Sequence, residues 1–285
     1  MRDYTVEKRK IPSPAGEMNV LILQPMRKRP VEKTPAILWI HGGGYATGMA
    51  SMIYMSRALP LVRKYGAVVI TPAYRLSGSA PYPAALEDCY AALMYLKDHA
   101  RELGCNPDQI MVGGESAGGG LTAALCMYAR DRGEVNIAFQ MPLYPMLDDR
   151  DTRSSHRNYR LPWNTLFNHG AWKLYLRHLN ERPTPYAAPA RQQNHRDLPP
   201  CYTFVGRKEP FYCETMQYVN KLKKAGVTAK VDVYPTGVHA FDMLLPLRKL
   251  SKQAAKAFEE QFLYARAHYF APQKEHEEAG KPDVQ

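Results

Sequence analysis

Short apolar runs alternate along this chain with longer stretches in which apolar residues recur every three or four positions. Ala36-Ile37-Leu38-Trp39-Ile40, Ala67 to Pro72, Gln109 to Gly113, Ile137 to Tyr144 and Cys201 to Val205 are nearly continuous in apolar character, the pattern of strands covered on both faces. Between them lie helical patterns: about Tyr54 to Tyr65, Pro83 to Gly104, Leu121 to Arg132 and Phe211 to Ala225. In the second, Leu86, Cys89, Tyr90, Leu93, Leu96 and Leu103 fall on one face; in the fourth, Met216, Val219 and Leu222 do. Thr5 to Pro12 and Asn19 to Gln24 predict a hairpin around Ser13-Pro14-Ala15-Gly16, Lys230 to Tyr234 a last strand, and Arg248 to His268 a closing helix. Strands in alternation with helices predict an α/β fold, with a mostly parallel central sheet and helices on both faces. Its site is expected at the carboxyl edge of the strands.

The alternation stops between Pro145 and Pro200, where Trp163, Phe167, Trp172, Tyr175 and Leu176 stand among arginines and prolines. A short helical lid, about residues 148–198, is expected over the sheet edge. The 285 residues otherwise show no break in composition and fit a single domain, 1–285. The tail 272–285 is charged, contains glycine and proline, and is expected to be disordered.

No apolar run reaches the ~20 residues of a membrane span, and the first fourteen residues are too charged for a secretory signal. The expectation is a cytoplasmic protein without a membrane partner. The five cysteines, Cys89, Cys105, Cys126, Cys201 and Cys213, are odd in number and lack a C-x-x-C pair, which fits a reducing compartment better than a disulfide framework or a zinc site. The net charge of +11 raises the question of nucleic acid, but it is local. Residues 1–35 hold 8 Lys/Arg against 4 Asp/Glu, and residues 150–200 hold 9 against 3. No basic block interleaves with aromatics and no helix-turn-helix or zinc-finger spacing is present, so no nucleic-acid partner is expected.

Two motifs suggest chemistry. Gly114-Glu115-Ser116-Ala117-Gly118 lies between a predicted strand and a predicted helix, where a sharp turn would project the Ser116 hydroxyl into a cleft. His41-Gly42-Gly43-Gly44 follows the strand Ala36 to Ile40, and consecutive glycines there leave backbone N–H groups free to face an oxyanion. The spacing fits neither dinucleotide- nor triphosphate-binding loops. A serine needs a base and the base an orienting acid. Of nine histidines, His239 alone follows the last predicted strand in a glycine-containing loop; His41 is expected to be a structural hydrogen-bonder. The acid is expected after the strand Cys201 to Val205, and Glu209 is the only carboxylate between Gly206 and Phe211. Glu214, Asp232, Asp242, Asp148 and Asp149 are weaker candidates by position. Gly43, Gly44 and Ala117 are the expected oxyanion donors.

The sequence resembles the hormone-sensitive-lipase-like branch of the α/β-hydrolase esterases from about Ile11 to Leu245. The resemblance runs through His41-Gly42-Gly43-Gly44, Tyr74-Arg75-Leu76, Tyr82-Pro83-Ala84-Ala85-Leu86-Glu87-Asp88, Gly114-Glu115-Ser116-Ala117-Gly118-Gly119 and Val238-His239-Ala240-Phe241. It implies an α/β-hydrolase fold and a serine carboxylesterase that cleaves short acyl esters of small molecules through an acyl-enzyme, with no metal or cofactor. Two positions depart from the family pattern: Ala73 where an acidic residue usually precedes Tyr-Arg-Leu, and Arg207-Lys208-Glu209-Pro210-Phe211 in place of an Asp-Pro-Leu acid loop. The segment before His41 is short, which implies a small lid. An amide or formamide hydrolase with the same triad and a non-catalytic small-molecule receptor are the competing readings. The sequence leaves the oligomeric state open, a homodimer being one option.

Overall fold

A computed structural model of the chain describes residues 3–27 and 29–274. Its strands are β1 (Tyr4–Ser13), β2 (Gly16–Pro25), β3 (Pro35–Ile40), β4 (Val68–Pro72), β5 (Asn106–Glu115), β6 (Phe139–Leu143), β7 (Cys201–Gly206) and β8 (Ala229–Tyr234). They form one eight-stranded sheet in the order β1-β2-β4-β3-β5-β6-β7-β8. The first hairpin joins antiparallel, β2 against β4, and every later pairing is parallel. β3, β4, β6 and β7 are buried along their whole length, as their continuous apolar runs require. β8, at the edge, is mostly half-exposed.

The helices are α1 (Ala58–Tyr65), α2 (Ala84–Asp98), α3 (Ala117–Arg132), α4 (Thr165–Tyr175), α5 (Tyr212–Lys224), α6 (Phe241–Leu244) and α7 (Lys249–His268). They divide the core in two. Leu86, Leu93 and Leu96 of α2, Leu121 and Leu125 of α3 and Val219 and Leu222 of α5 close one face. Leu61 and Val62 of α1 and Phe258 and Phe262 of α7 close the other.

Three boundaries differ from the sequence expectation. The pattern around Tyr54 to Tyr65 is a 3-10 turn, Ala50–Met55, followed by α1, because Ser56 interrupts the run: its hydroxyl donates to Ile53 O at 2.9 Å and accepts from Ala58 N at 3.1 Å. β6 is shorter at both ends than Ile137 to Tyr144, since Tyr144 turns to a left-handed conformation at φ 34°. α3 starts at Ala117 rather than Leu121, because the glycines that lower helix propensity there are held by close backbone packing. No helix among the described residues is long and apolar enough to cross a membrane. The tail expected to be disordered from 272 lies largely outside the described residues; at its start Gln273 Nε2 donates to Asn136 O at 2.9 Å and to Pro107 O at 3.1 Å.

The Tyr74-Arg75-Leu76 and Tyr82 to Asp88 motifs meet in one clamp. Buried Asp88 accepts from Arg75 N at 2.8 Å and pairs with both arms of its guanidinium at 2.9 Å. Tyr74 donates to His41 O at 2.9 Å and stacks on the His41 ring at 4.2 Å. The clamp therefore holds the strand end that carries the glycine loop. Asp88→Ala strands part of the Arg75 charge and should cost about 3 kcal/mol in urea unfolding; a change below about 0.5 kcal/mol would show that the pair is dispensable.

Candidate active site

β5 ends at Glu115, and Ser116 is the residue between that strand and α3, with φ 57° and ψ −119°. A side-chain-bearing residue rarely adopts this conformation. It is held by three hydrogen bonds: Ser116 N to Leu143 O at 3.0 Å, and Ser116 O from Gly120 N at 2.9 Å and Met146 N at 3.0 Å. The flanking glycines permit the turn by close contact. A methyl group on Gly118 would stand 2.0 Å from Ile40 O, and one on Gly114 2.4 Å from the same oxygen. β3, the turn and the first turn of α3 thus touch backbone to backbone.

The glycine loop lies against the same turn. A Cβ on Gly42 would meet Glu115 O at 2.9 Å and Ser116 Cβ at 3.3 Å. Gly43 at φ 118° and Gly44 at φ 60° require the left-handed region, and Gly43 O accepts from Ala46 N at 3.1 Å and Thr47 N at 2.9 Å. The loop is thereby fixed beside Ala117 with its backbone curled over the serine. His41 is not among the reacting groups. Its Nδ1 lies 2.8 Å from Gly42 O, its ring is stacked on Tyr74, and burial lowers its pKa from the usual histidine value, so it stays neutral.

Ser116, Glu209 and His239 come together from three separated loops, and all three are buried. His239 Nε2 stands 2.8 Å from Ser116 Oγ, and His239 Nδ1 is hydrogen-bonded to Glu209 Oε2. Glu209 Oε1 accepts from Gly206 N at 2.6 Å. The turn from Gly206 to Glu209 is pinned to the end of β8 by Arg207 N to Tyr234 O at 2.8 Å and Lys208 N to Thr236 O at 2.9 Å. This sets the longer glutamate back far enough to leave the imidazole beside the serine. Phe211 and Tyr144 present ring edges to the imidazole at 5.0 and 5.1 Å.

The other carboxylates are engaged elsewhere. Asp148 pairs with Arg150 at 2.8 Å and Asp149 with Arg191 at 2.7 Å. Glu214 accepts from Leu147 N at 2.6 Å, and Asp232 from the Tyr202 hydroxyl at 2.7 Å. Asp242 forms a second buried group behind the triad. Arg57 Nε lies 3.0 Å from Asp242 Oδ2, a contact of charge rather than an aligned hydrogen bond. Glu115 shares this region, accepting from Trp39 Nε1 at 2.8 Å and Arg57 N at 3.4 Å. Two buried carboxyls thus face one guanidinium. Burial first, and then the Asp242 charge, push the Glu115 carboxyl up to about 8, while Asp242 is raised by burial against the pull of Arg57.

Sequence reasoning missed two neighbours of the site. Trp163 lies over Gly44, where a Cβ would fall 2.3 Å from the indole, and its ring is 6.3 Å from that of His239. The signal available was Asn164, whose side chain accepts from Phe167 N at 3.0 Å and caps α4, placing Trp163 just before a helix start. The Arg57 contact had none, since Arg57 and Asp242 are far apart in sequence. Trp172 and Tyr175, which the sequence allowed as lining of an acyl pocket, are buried instead against Tyr45, with the Tyr45 and Tyr175 rings stacked at 4.1 Å.

Glu115 makes stability depend on pH. Unfolded, its carboxyl titrates near the ordinary 4.5; folded, it holds its proton to about 8, so stability falls as pH rises through that window. Glu115→Gln should therefore gain thermal stability relative to wild type on going from about pH 5 to about pH 8. An unchanged difference in Tm across that range would show that Glu115 is ionised in the folded protein.

Known proteins share this architecture. Residues 37–243 match the model of a family described as having the alpha/beta hydrolase fold. Esterase LipI of Mycobacterium tuberculosis is 32% identical over 235 residues, 81% of this chain and 73% of LipI. The acetyl esterase of Salmonella paratyphi B is 27% identical over 240 residues, 81% of this chain and 71% of that protein. Among solved structures, a bacterial heroin esterase superposes with a TM-score of 0.86 at 32% identity, covering 93% of this chain and 84% of its own. With its ordered motifs and its eight-stranded sheet, the chain belongs to the α/β-hydrolase fold family, in the hormone-sensitive-lipase-like branch of esterases.

Proposed function

We propose that this protein is a serine carboxylesterase that cleaves short acyl esters of small molecules through an acyl-enzyme. The observation that supports it most is the hydrogen-bonded line from Ser116 Oγ through His239 to Glu209, with the Gly43-Gly44 loop beside the serine. The esterase names of the relatives agree with it.

Glu209 accepts the Nδ1 hydrogen of His239, which leaves the Nε2 lone pair directed at Ser116. As Ser116 Oγ bonds to the ester carbonyl carbon, its proton moves to Nε2, and the carboxylate stabilises the imidazolium. The carbonyl oxygen takes the negative charge and is met by the N–H groups of Gly43, Gly44 and Ala117, each worth about 3 kcal/mol in the transition state. The proton on Nε2 then passes to the leaving alkoxide. Water repeats the sequence on the acyl-serine, giving up a proton to His239 and releasing the acid. Trp163, seated on Gly44, serves as the lid residue that limits the acyl chain.

Ser116→Ala should lower kcat for p-nitrophenyl acetate by about 10⁶ with the fold intact, and an organophosphonate should label Ser116 alone. Glu209→Gln should lower kcat by roughly 10⁴ through loss of the imidazolium's partner. Equal hydrolysis by wild type and Ser116→Ala would remove the assignment. A loss below tenfold in Glu209→Gln, with Asp242→Asn crippling the enzyme, would move the acid to Asp242. An ester panel from acetate to laurate, with an anilide alongside, should favour the shortest acyl groups and leave the anilide nearly uncut. Trp163→Ala should shift the preference to longer chains, and an unaltered profile would place the acyl limit elsewhere.

A further inference from the structure

The positive charge of residues 150–200 is not spread evenly over the surface. The segment from Arg153 to Arg160 and the turn bearing Arg207 and Lys208 enclose an open hollow of about 380 Å³. Arg153, Arg157, Arg160, Arg207 and Lys208 line it together with His156, and among its described lining residues there is no carboxylate. None of the five cations has an ion-pair partner among the described residues. In the same segment Arg150 and Arg191 are closed on Asp148 and Asp149, so acids are at hand where the fold neutralises an arginine. Five like charges around one hollow repel one another, a cost to the folded chain that a bound anion would cancel.

The backbone points the same way. Arg157 has φ 51°, a left-handed conformation that ordinarily selects glycine or asparagine. Its neighbour Asn158 enforces the turn, with its amide donating to Ser154 O at 3.0 Å and Lys208 O at 3.1 Å and its N–H to Thr165 Oγ1 at 2.7 Å. An arginine at that position is strained, which is understandable if its side chain is needed in the hollow.

We propose that this hollow is a binding site for a phosphate-bearing ligand, beside the candidate catalytic site and separate from it. A carboxylate occupies one guanidinium fork, whereas a phosphate dianion or a diphosphate offers enough oxygens to engage several. The hollow does not include Ser116, Glu209 or His239, but it borders their loops: Lys208 precedes Glu209, and Arg160 lies over Gly237, where a Cβ would meet its Cδ at 2.6 Å. The proposal does not depend on the esterase reading.

The test uses the full chain with inorganic pyrophosphate, compared with sodium chloride at equal ionic strength. Pyrophosphate should raise the Tm of wild type beyond the chloride control and bind with a Kd that Arg153→Gln and Arg157→Asn each weaken by about tenfold. Both substitutions are at exposed positions, and asparagine suits the Arg157 backbone, so Arg157→Asn should also be more stable than wild type without the anion. Hydrolysis of p-nitrophenyl acetate should stay within about twofold of wild type in both, reporting an intact fold. Vesicles of phosphatidate in phosphatidylcholine decide the source of the phosphate. Pyrophosphate binding without vesicle binding assigns a soluble ligand, and vesicle binding that pyrophosphate displaces assigns a lipid headgroup. Responses shared equally by wild type and both variants, or no response beyond chloride in either arm, would overturn the proposal.

Discussion

The contact of Gly118 with the carbonyl of Ile40, where a single methyl group would stand 2.0 Å from the oxygen, fixes the distance between β3 and the first turn of α3. Everything around Ser116 is built from that approach. Because α3 sits so close to β3, the turn before it must fold back sharply, which forces Ser116 to positive φ. The glycine loop leaving β3 then passes over the same turn, with Gly42 against Glu115 O. Gly120, against Met146 O, repeats the constraint one helical turn later and brings in the chain beyond β6. Such contacts exclude side chains and water, so the N–H groups of the loop are held by their neighbours before any ligand arrives.

Around this backbone core the charged groups are arranged in two opposite ways. Behind the triad, two carboxyls are buried with one guanidinium, and the shortage of positive charge is met by a proton on Glu115 at neutral pH. Beside the triad, several cations share a hollow without an acid. The first arrangement is closed from solvent and is balanced by protonation. The second is open, and counterions or a ligand can balance it. Between them, the Glu209 and His239 pair is buried and matched one to one.

The Arg75 and Asp88 clamp explains why the motifs are spread so widely along the chain. Tyr74, Arg75 and Asp88 are remote from Ser116 in sequence, yet they support the strand end from which the glycine loop departs. The departure at Ala73 leaves this clamp untouched, because Arg75 takes its acid from α2. The long acid loop is likewise absorbed by two backbone hydrogen bonds to the end of β8, which let glutamate stand where aspartate is commoner.

The sequence by itself determined the order of strands and helices, since burial on two faces demands continuous apolar runs and burial on one face demands helical spacing. It also marked Ser116, His239, Glu209 and the glycine loop, because each stands in a loop just past a strand, where position in the chain gives position at the sheet edge. Tertiary structure alone decided which groups meet when neither periodicity nor strand order links them. Arg57 reaches Asp242 across most of the chain, Trp163 settles on Gly44, and the arginines of residues 150–160 join Arg207 and Lys208 around one hollow. These contacts join residues in or next to loops, and a loop's direction is set by the packing of what lies beneath it. Local sequence therefore specifies the residues available at the sheet edge, and the three-dimensional fold specifies which of them face one another.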